Sequence, residues 1–383
     1  MTPSFKHGMA KAMEMTHAGK LQEATSIIRN LLQPLVKADD IATPGDAGQV
    51  IDGDFIRLDP GTVKPVAKPL KTARTPLGET LRKIAAGGMP ARGPLADNAL
   101  PVPAGAQFLA LSHNAPQGSR GYRLYVPSRR PATLMPLIIM LHGCTQSAED
   151  FAMGTGMNAL AEEFGCLVAY PAQPSGANAQ KCWNWFRPED QGRSRGEPSL
   201  IAGLTRDIQQ AYPADPARTY IAGLSAGGAA ALIVAAAYPD VFAAAGVHSG
   251  LPAGSAQDVA SAFSAMRRAT KALPHKAPLP TIVFHGLADT TVHPSNGMAV
   301  MAQALPAMQD LRRSTRQDAI PGGRLFSVTA YRHADGRTMA EHWQIDGAGH
   351  AWAGGRAGGS YTDPKGPDAS RQMTRFFLQH ALP

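Results

Sequence analysis

The sequence predicts an α/β fold, with a mostly parallel central sheet covered by helices on both faces. Three observations carry that expectation. From about residue 105 onward, short β-prone apolar runs alternate with helical stretches, the order that builds parallel sheets through helical crossovers. The run Leu134–Leu141 is apolar throughout, as a strand buried on both faces requires. The third is Gly223-Leu224-Ser225-Ala226-Gly227, which stands between the apolar run Thr219–Ala222 and a small-residue helical stretch, Gly228–Tyr238. Glycines flanking a serine at that junction make a tight strand-to-helix turn that lifts the serine hydroxyl above the sheet edge.

The elements follow in order. Residues 1–36 read as two short helices, because Leu21, Ala24, Ile28, Leu31 and Leu35 recur at spacings of three and four and form one apolar face. Residues 37–104 are rich in Pro, Gly, Asp and Lys, with a helical island near Leu77–Ala86, and are expected to be a linker, disordered in large part. The compact domain then spans 105–383. Gln107–Leu111 and Tyr122–Val126 pair as a hairpin around Asn114–Gly118. Leu134–Leu141 is a strand, followed by a helix from about Ser147 with Glu149 and Asp150 in its first turn. Cys166–Tyr170 is the next strand, with Cys166 buried in it as a small hydrophobe. A helix over Ser199–Tyr212 leads to the strand before Ser225. Strands follow at Phe242–Val247, Thr281–His285, 325–332 and 340–345, and helices at 296–313 and 369–380.

Composition narrows the function classes. The chain has 383 residues, 44% of them hydrophobic, and no apolar run approaches the ~20 residues of a spanning helix. Met1–Lys20 is polar and lacks the apolar core and cleavage site of a secretory signal, so the expected location is the cytoplasm. The net charge of +8 is partly local: Lys64, Lys68, Lys71, Arg74, Arg82, Lys83 and Arg92 face only Glu79. Such a stretch is either a solvated basic linker or a contact to an anionic surface. Nothing in its spacing or aromatic content points to nucleic acid. Cys144, Cys166 and Cys182 form no C-x-x-C pair, so a metal site is not expected.

A serine hydroxyl needs a base within hydrogen-bond reach, and the base needs an acid to fix its tautomer. With the serine on a strand-to-helix turn, the expected chain order is Ser, then Asp or Glu, then His. Asp289 stands a few residues past the carboxyl end of Thr281–His285 and is the candidate acid. His350, in Gly347–Gly355 after the last strand, is the candidate base. His285 and His293 are expected to be structural or substrate-side, His342 to lie within its strand, and Asp346 is the alternative acid. Two backbone N–H groups must also meet the developing oxyanion. Ala226 supplies one, and Cys144, in Leu141-His142-Gly143-Cys144-Thr145-Gln146, the other, with His142 packed behind that loop. Trp183 and Trp185, on the insertion between Tyr170 and Ser199, and Trp352, two residues past His350, are expected to line the substrate site as an apolar platform. Core packing is the alternative for any one of them.

These segments carry a resemblance. Together with Tyr170-Pro171-Ala172-Gln173, Cys182-Trp183-Asn184-Trp185-Phe186, His248-Ser249-Gly250 and Gly349-His350-Ala351-Trp352, they make residues 105–380 similar to esterases of the polyhydroxybutyrate depolymerase family, which includes feruloyl and acetylxylan esterases. The resemblance implies an α/β-hydrolase fold and ester hydrolysis with no metal or organic cofactor. It also implies a Ser225–Asp289–His350 triad. The implied substrate is a poly(3-hydroxybutyrate)-type polyester or its oligomers; small aromatic or acetyl esters are the alternative. A reading of another class makes the chain a granule- or membrane-binding protein through residues 1–100. In the family the positions of Cys144 and Cys182 can be disulfide-bonded, whereas a reducing cytoplasm would leave both as thiols.

Overall fold

A parallel centre flanked by antiparallel edges organises the sheet. The computed structural model describes Leu100, residues 102–270 and residues 273–383. These fall in the second of the two units into which the chain divides, Arg92–Pro383. The helices expected over 1–36, the linker up to residue 99 and the basic stretch Lys64–Arg92 lie outside the described residues.

Strands β1 (Gln107–Ala115) and β2 (Gly118–Val126) form the first hairpin. They lead to β3 (Met135–Leu141), α1 (Ala148–Thr155), α2 (Met157–Phe164), β4 (Leu167–Pro171), α3 (Gly196–Ala211) and β5 (Ala214–Leu224). Next come α4 (Ala226–Ala237), β6 (Ala244–His248), α5 (Val259–Arg267), β7 (Thr281–Gly286) and α6 (Ser295–Ala304). The chain closes with β8 (Arg312–Ala319), β9 (Leu325–Arg332), β10 (Thr338–Ile345), the short pair β11 (Trp352–Ala353) and β12 (Thr362–Asp363), and α7 (Ala369–Phe377).

Local chemistry sets several boundaries. The Ser147 side chain accepts from Asp150 N and starts α1. Gly156, at φ 63°, then turns the chain in the left-handed region, so α1 and α2 are two helices where one was expected. Asp258 and Ser261 form a capping box at the start of α5, an element the sequence reading lacked. The helix expected over 296–313 is corrected: α6 ends at Ala304, a 3-10 turn covers Leu305–Ala307, and 312–319 is β8. All eight β8 side chains are exposed. Its strand character comes from backbone pairing to β9 and leaves no apolar alternation to read.

The ten strands run in the order β1-β2-β4-β3-β5-β6-β7-β10-β9-β8. From β4 to β10 neighbouring strands are parallel, while β1-β2-β4 and β10-β9-β8 pair antiparallel. Alternation along β3 divides the core: Leu137, Ile139 and Leu141 pack on one face with residues of α3 to α6. Ile138 and Met140 pack on the other with residues of α1, α2 and α7. Among the described residues no helix is long and apolar enough to cross a membrane. Strand order reverses about β3, since β4 lies on one side of it and β5 on the other. In open α/β sheets the crevice beyond the strand ends at such a reversal is where ligands bind.

Candidate active site

Ser225 stands at that crevice, between β5 and α4. Its backbone is at φ 57°, ψ −120°, a conformation an L-residue holds only when its surroundings impose it. The surroundings are explicit. A Cβ on Gly227 would run into the carbonyl oxygens of Leu141 and His142, and one on Gly223 into the backbone of Gly227. Ser225 N donates to His248 O at 2.9 Å, which ties the turn to the end of β6. Helix α4 is buried over Ala226–Ala235 and directs its N-terminus, the positive end of its dipole, at the turn.

The loop after β3 runs beside this turn, because Leu141 pairs with Gly223 in the parallel ladder. Gly143 N donates to Gln146 Oε1 at 2.8 Å, and Gln146 Nε2 donates to Asp150 Oδ2 at 3.0 Å and to Ser360 O at 3.2 Å. Thr145 N donates to Gln180 O at 2.7 Å. A disulfide joins Cys144 to Cys182. Behind the loop, His142 Nδ1 donates to Gly143 O at 2.7 Å and its Nε2 accepts from Gln173 N at 3.0 Å. Burial pushes the His142 imidazole down to about 4, so it is neutral. Gln173 Nε2 also donates to Cys182 O at 2.9 Å, so one glutamine braces both ends of the bridged loop. Among the described residues, the N–H groups of Cys144 and Ala226 have no hydrogen-bond partner.

Asp289 and His350 are brought together across 61 residues: His350 Nδ1 donates to Asp289 Oδ2 at 2.7 Å. Asp289 Oδ1 accepts from the N–H groups of Thr291 and Val292, each at 2.9 Å. Burial would raise the Asp289 carboxyl, but the His350 hydrogen bond and charge, and the Val292 amide, hold it below the usual aspartate value. Asp346, the alternative acid, is exposed, and the hydrogen bond and ion pair of His350 go to Asp289. His285 donates Nε2–H to Val292 O at 2.8 Å, and exposed His293 contacts Ser295 Oγ. Ser225 Oγ and His350 Nε2 are not hydrogen-bonded to each other in this structure. Such bonds are often long without substrate and shorten when it binds.

Two residues beyond those predicted shape the site. Gln173 is one. The other is His248, whose Nε2 accepts from Ala353 N at 2.9 Å and whose ring stacks between Phe284 and Trp352. Burial pushes it down to about 3, so it stays a neutral acceptor. Both stand in segments that carried the family resemblance, but only the folded chain gives them these partners.

The three tryptophans expected to line the site are buried. Trp183 and Trp352 are 0% and 1% exposed and Trp185 5%. Trp183 Nε1 donates to His142 O at 3.1 Å, and Trp352 Nε1 donates to Ser370 Oγ at 2.9 Å, so each indole is anchored inward. Trp185 packs edge-on to Phe186. A large ring with one polar tip is more stable buried with that tip paired than lying on an open face. Among the described residues no group of three or more His, Cys, Asp or Glu is arranged to hold a metal ion.

Fold and site together define an α/β-hydrolase with a serine on a strained strand-to-helix turn and a buried Asp–His pair. The chain belongs to the esterase PHB depolymerase family, whose sequence profile matches residues 120–313, a span that contains Ser225 and Asp289 and ends before His350. It is 35% identical over 240 residues to poly(3-hydroxyalkanoate) depolymerase C of Paucimonas lemoignei, covering 59% of this chain and 57% of that one. It is 31% identical over 200 residues to feruloyl esterase B of Neurospora crassa, covering 47% of this chain and 67% of that one. The chain thus spans a little over half the length of the polyester depolymerases it matches, 57% and 52%. Among solved structures, acetyl xylan esterase from Aspergillus awamori shares the fold, with a TM-score of 0.55 at 19% identity over 72% of this chain and 99% of that chain.

Proposed function

We propose that this protein is a serine-dependent carboxylic-ester hydrolase acting on a poly(3-hydroxybutyrate)-type polyester or its oligomers. The observation that carries the reading is the 2.7 Å hydrogen bond from His350 to buried Asp289 beside the strained Ser225 turn. Ser225 Oγ attacks the ester carbonyl carbon as its proton passes to His350 Nε2. Asp289 holds His350 in the tautomer whose Nε2 can accept that proton, and stabilises the imidazolium. The N–H groups of Cys144 and Ala226 stabilise the oxyanion. Collapse of the tetrahedral intermediate breaks the ester C–O bond, and His350 gives its proton to the leaving alcohol. Water, deprotonated by His350, then cleaves the acyl-serine, releases the carboxylic acid and restores Ser225 Oγ–H.

The polyester substrate is favoured by the 35% identity to a poly(3-hydroxyalkanoate) depolymerase. Small aromatic or acetyl esters are favoured by the 31% identity to a feruloyl esterase. Rates on hydroxybutyrate oligomers, methyl ferulate and p-nitrophenyl acetate, measured side by side, separate them. Preference for oligomers supports the first, and preference for ferulate replaces it with the second. Ser225→Ala should abolish hydrolysis of all three; near-normal turnover would overturn the nucleophile assignment. Contact with a granule or other anionic surface through Lys64–Arg92 is the remaining proposal. It predicts that the full chain, but not a chain beginning at Pro103, cosediments with polyester granules.

A further inference from the structure

His285, near the end of β7, and His342, in β10, lie on one face of the sheet beneath α6. The two strands are parallel, with His342 opposite Val283 and Gln344 opposite His285. Both imidazoles are buried, at 0% and 7% exposure. Each has a buried ring nitrogen without a hydrogen-bond partner, Nδ1 of His285 and Nε2 of His342. Buried polar atoms are paired in the great majority of cases, so two orphans on neighbouring strands require an account.

The orphans converge on Gly297 of α6. A Cβ there would stand 3.0 Å from His285 Nδ1 and 3.0 Å from His342 Nε2. Two atoms each 3.0 Å from one point are no more than about 6 Å apart, a limit that admits two ~2.8 Å hydrogen bonds through one water. Such a Cβ would be tighter than ordinary contact, so α6 packs onto the two rings through a glycine.

The tautomer of His285 is fixed by its other nitrogen. Nε2 lies 2.8 Å from Val292 O, and a carbonyl only accepts, so Nε2 carries the proton and Nδ1 presents a lone pair. That same Nε2–H is 3.6 Å from Asp289 Oδ2, the oxygen that receives His350. Val292 is held on both sides, its carbonyl by His285 and its amide by Asp289 Oδ1. In the opposite tautomer, Nε2 would turn a lone pair toward both the Val292 carbonyl and the Asp289 carboxylate, and the loop carrying the acid would shift.

We propose that His342 Nε2–H donates to His285 Nδ1 through a single water bridging the two rings, making the two histidines a positioning pair for Asp289. The proposal rests on the Ser225–Asp289–His350 reading. Burial lowers both imidazoles, His342 to about 4, so the pair is neutral at pH 7 and works by hydrogen bonding. Neither histidine touches the ester. They act through the carboxylate.

The test has two parts. In 15N-histidine NMR of the native full chain, His285 should be protonated at Nε2, with Nδ1 accepting a hydrogen bond; protonation at Nδ1 overturns the proposal. In kinetics on p-nitrophenyl butyrate, His342→Leu keeps the bulk but removes the donor. It should lower kcat roughly tenfold with KM within about twofold, on the scale of small misplacements of a reacting group. His342→Gln, which restores an N–H near the same place, should recover most of kcat. Equal kcat in folded Leu and Gln variants overturns the proposal. If the Leu variant does not fold, the NMR result on the native chain decides. Ser225→Ala in the same assay separates the two readings. Residual hydrolysis there defeats the triad, whereas loss of hydrolysis with indistinguishable His342 variants defeats only the pair.

Discussion

The ring of His248 accepts the backbone N–H of Ala353 at 2.9 Å, across 105 residues of sequence. The carbonyl of the same histidine accepts the N–H of Ser225. One residue therefore locks the turn that carries Ser225 to the segment that follows His350. His248→Ala should lower kcat on a soluble ester by about 10- to 100-fold, because small displacements of reacting groups have effects of that size. Steady-state kinetics beside a thermal melt checks this. A fall in melting temperature with unchanged kcat would confine His248 to the core.

Asp289→Asn removes the acceptor that sets the His350 tautomer. The expected loss in kcat is about ten-thousandfold with KM little altered, the scale seen when a triad histidine adopts the wrong tautomer. A kcat within tenfold of the native enzyme would mean that another group orients His350.

Reduction of the Cys144–Cys182 bridge should both loosen the loop after β3, the proposed oxyanion loop, and destabilise the fold. The bridge spans a sequence separation of 38 residues, for which loop-closure entropy gives roughly 4 kcal/mol. Cys144→Ala keeps the backbone N–H of that residue, so its effect on kcat reports loop position rather than loss of the donor. Urea unfolding with and without reductant, together with kcat for the variant, separates the two contributions.

Trp183→Ala should cost about 3–5 kcal/mol of stability, as for other large core aromatics. It should leave the ratio of rates on hydroxybutyrate oligomers and p-nitrophenyl acetate unchanged, because the indole faces His142 and the core. A selective rise in KM for the oligomer would place Trp183 at the substrate site instead.

Acid should unfold the protein early. His142, His248 and His342 have folded-state values of about 4, 3 and 4, all below the ordinary 6.5, because burial disfavours their charged forms. A lowered histidine means that the unfolded chain binds more protons between the two values. Stability is therefore full above about pH 6.5 and falls as pH drops toward 4. Each such histidine contributes up to about 1.4 kcal/mol per pH unit in that window. Asp289 adds a further loss only at lower pH, where its depressed carboxyl protonates. Urea midpoints measured from pH 8 to pH 5 should decline below pH 6.5; a flat profile would contradict this account.

The legible parts of this molecule are those where a local rule leaves little choice. The strand β3 is buried throughout and reads as an unbroken apolar run, while β5 and β7 carry shorter buried runs, Tyr220–Leu224 and Ile282–Phe284. The turn at Ser225 is legible because side chains at Gly223 and Gly227 would meet backbone. The chain order of Ser225, Asp289 and His350 followed from the strands they terminate. What escaped is what depends on distant partners. β8 is a strand by pairing with β9 and carries no apolar pattern of its own. α5 leaves Val259 and Phe263 exposed, which weakens its helical stripe. The partners of Trp352 were equally hidden: two residues from His350, it stacks against His248 and bonds Ser370.

The β8 edge has a consequence for molecules at high concentration. A sheet that ends in an unpaired strand can recruit another copy as its next strand, and the growth need not stop. Among the described residues β8 is the outer strand at this edge, and it bears Arg312, Arg313 and Arg316 against the single carboxylate of Asp318, all exposed. Two such edges meeting would press cation against cation along their length. The polarity that hid β8 from the pattern of the sequence keeps the sheet finite, and crowding should raise the solution's osmotic repulsion before it seeds fibrils.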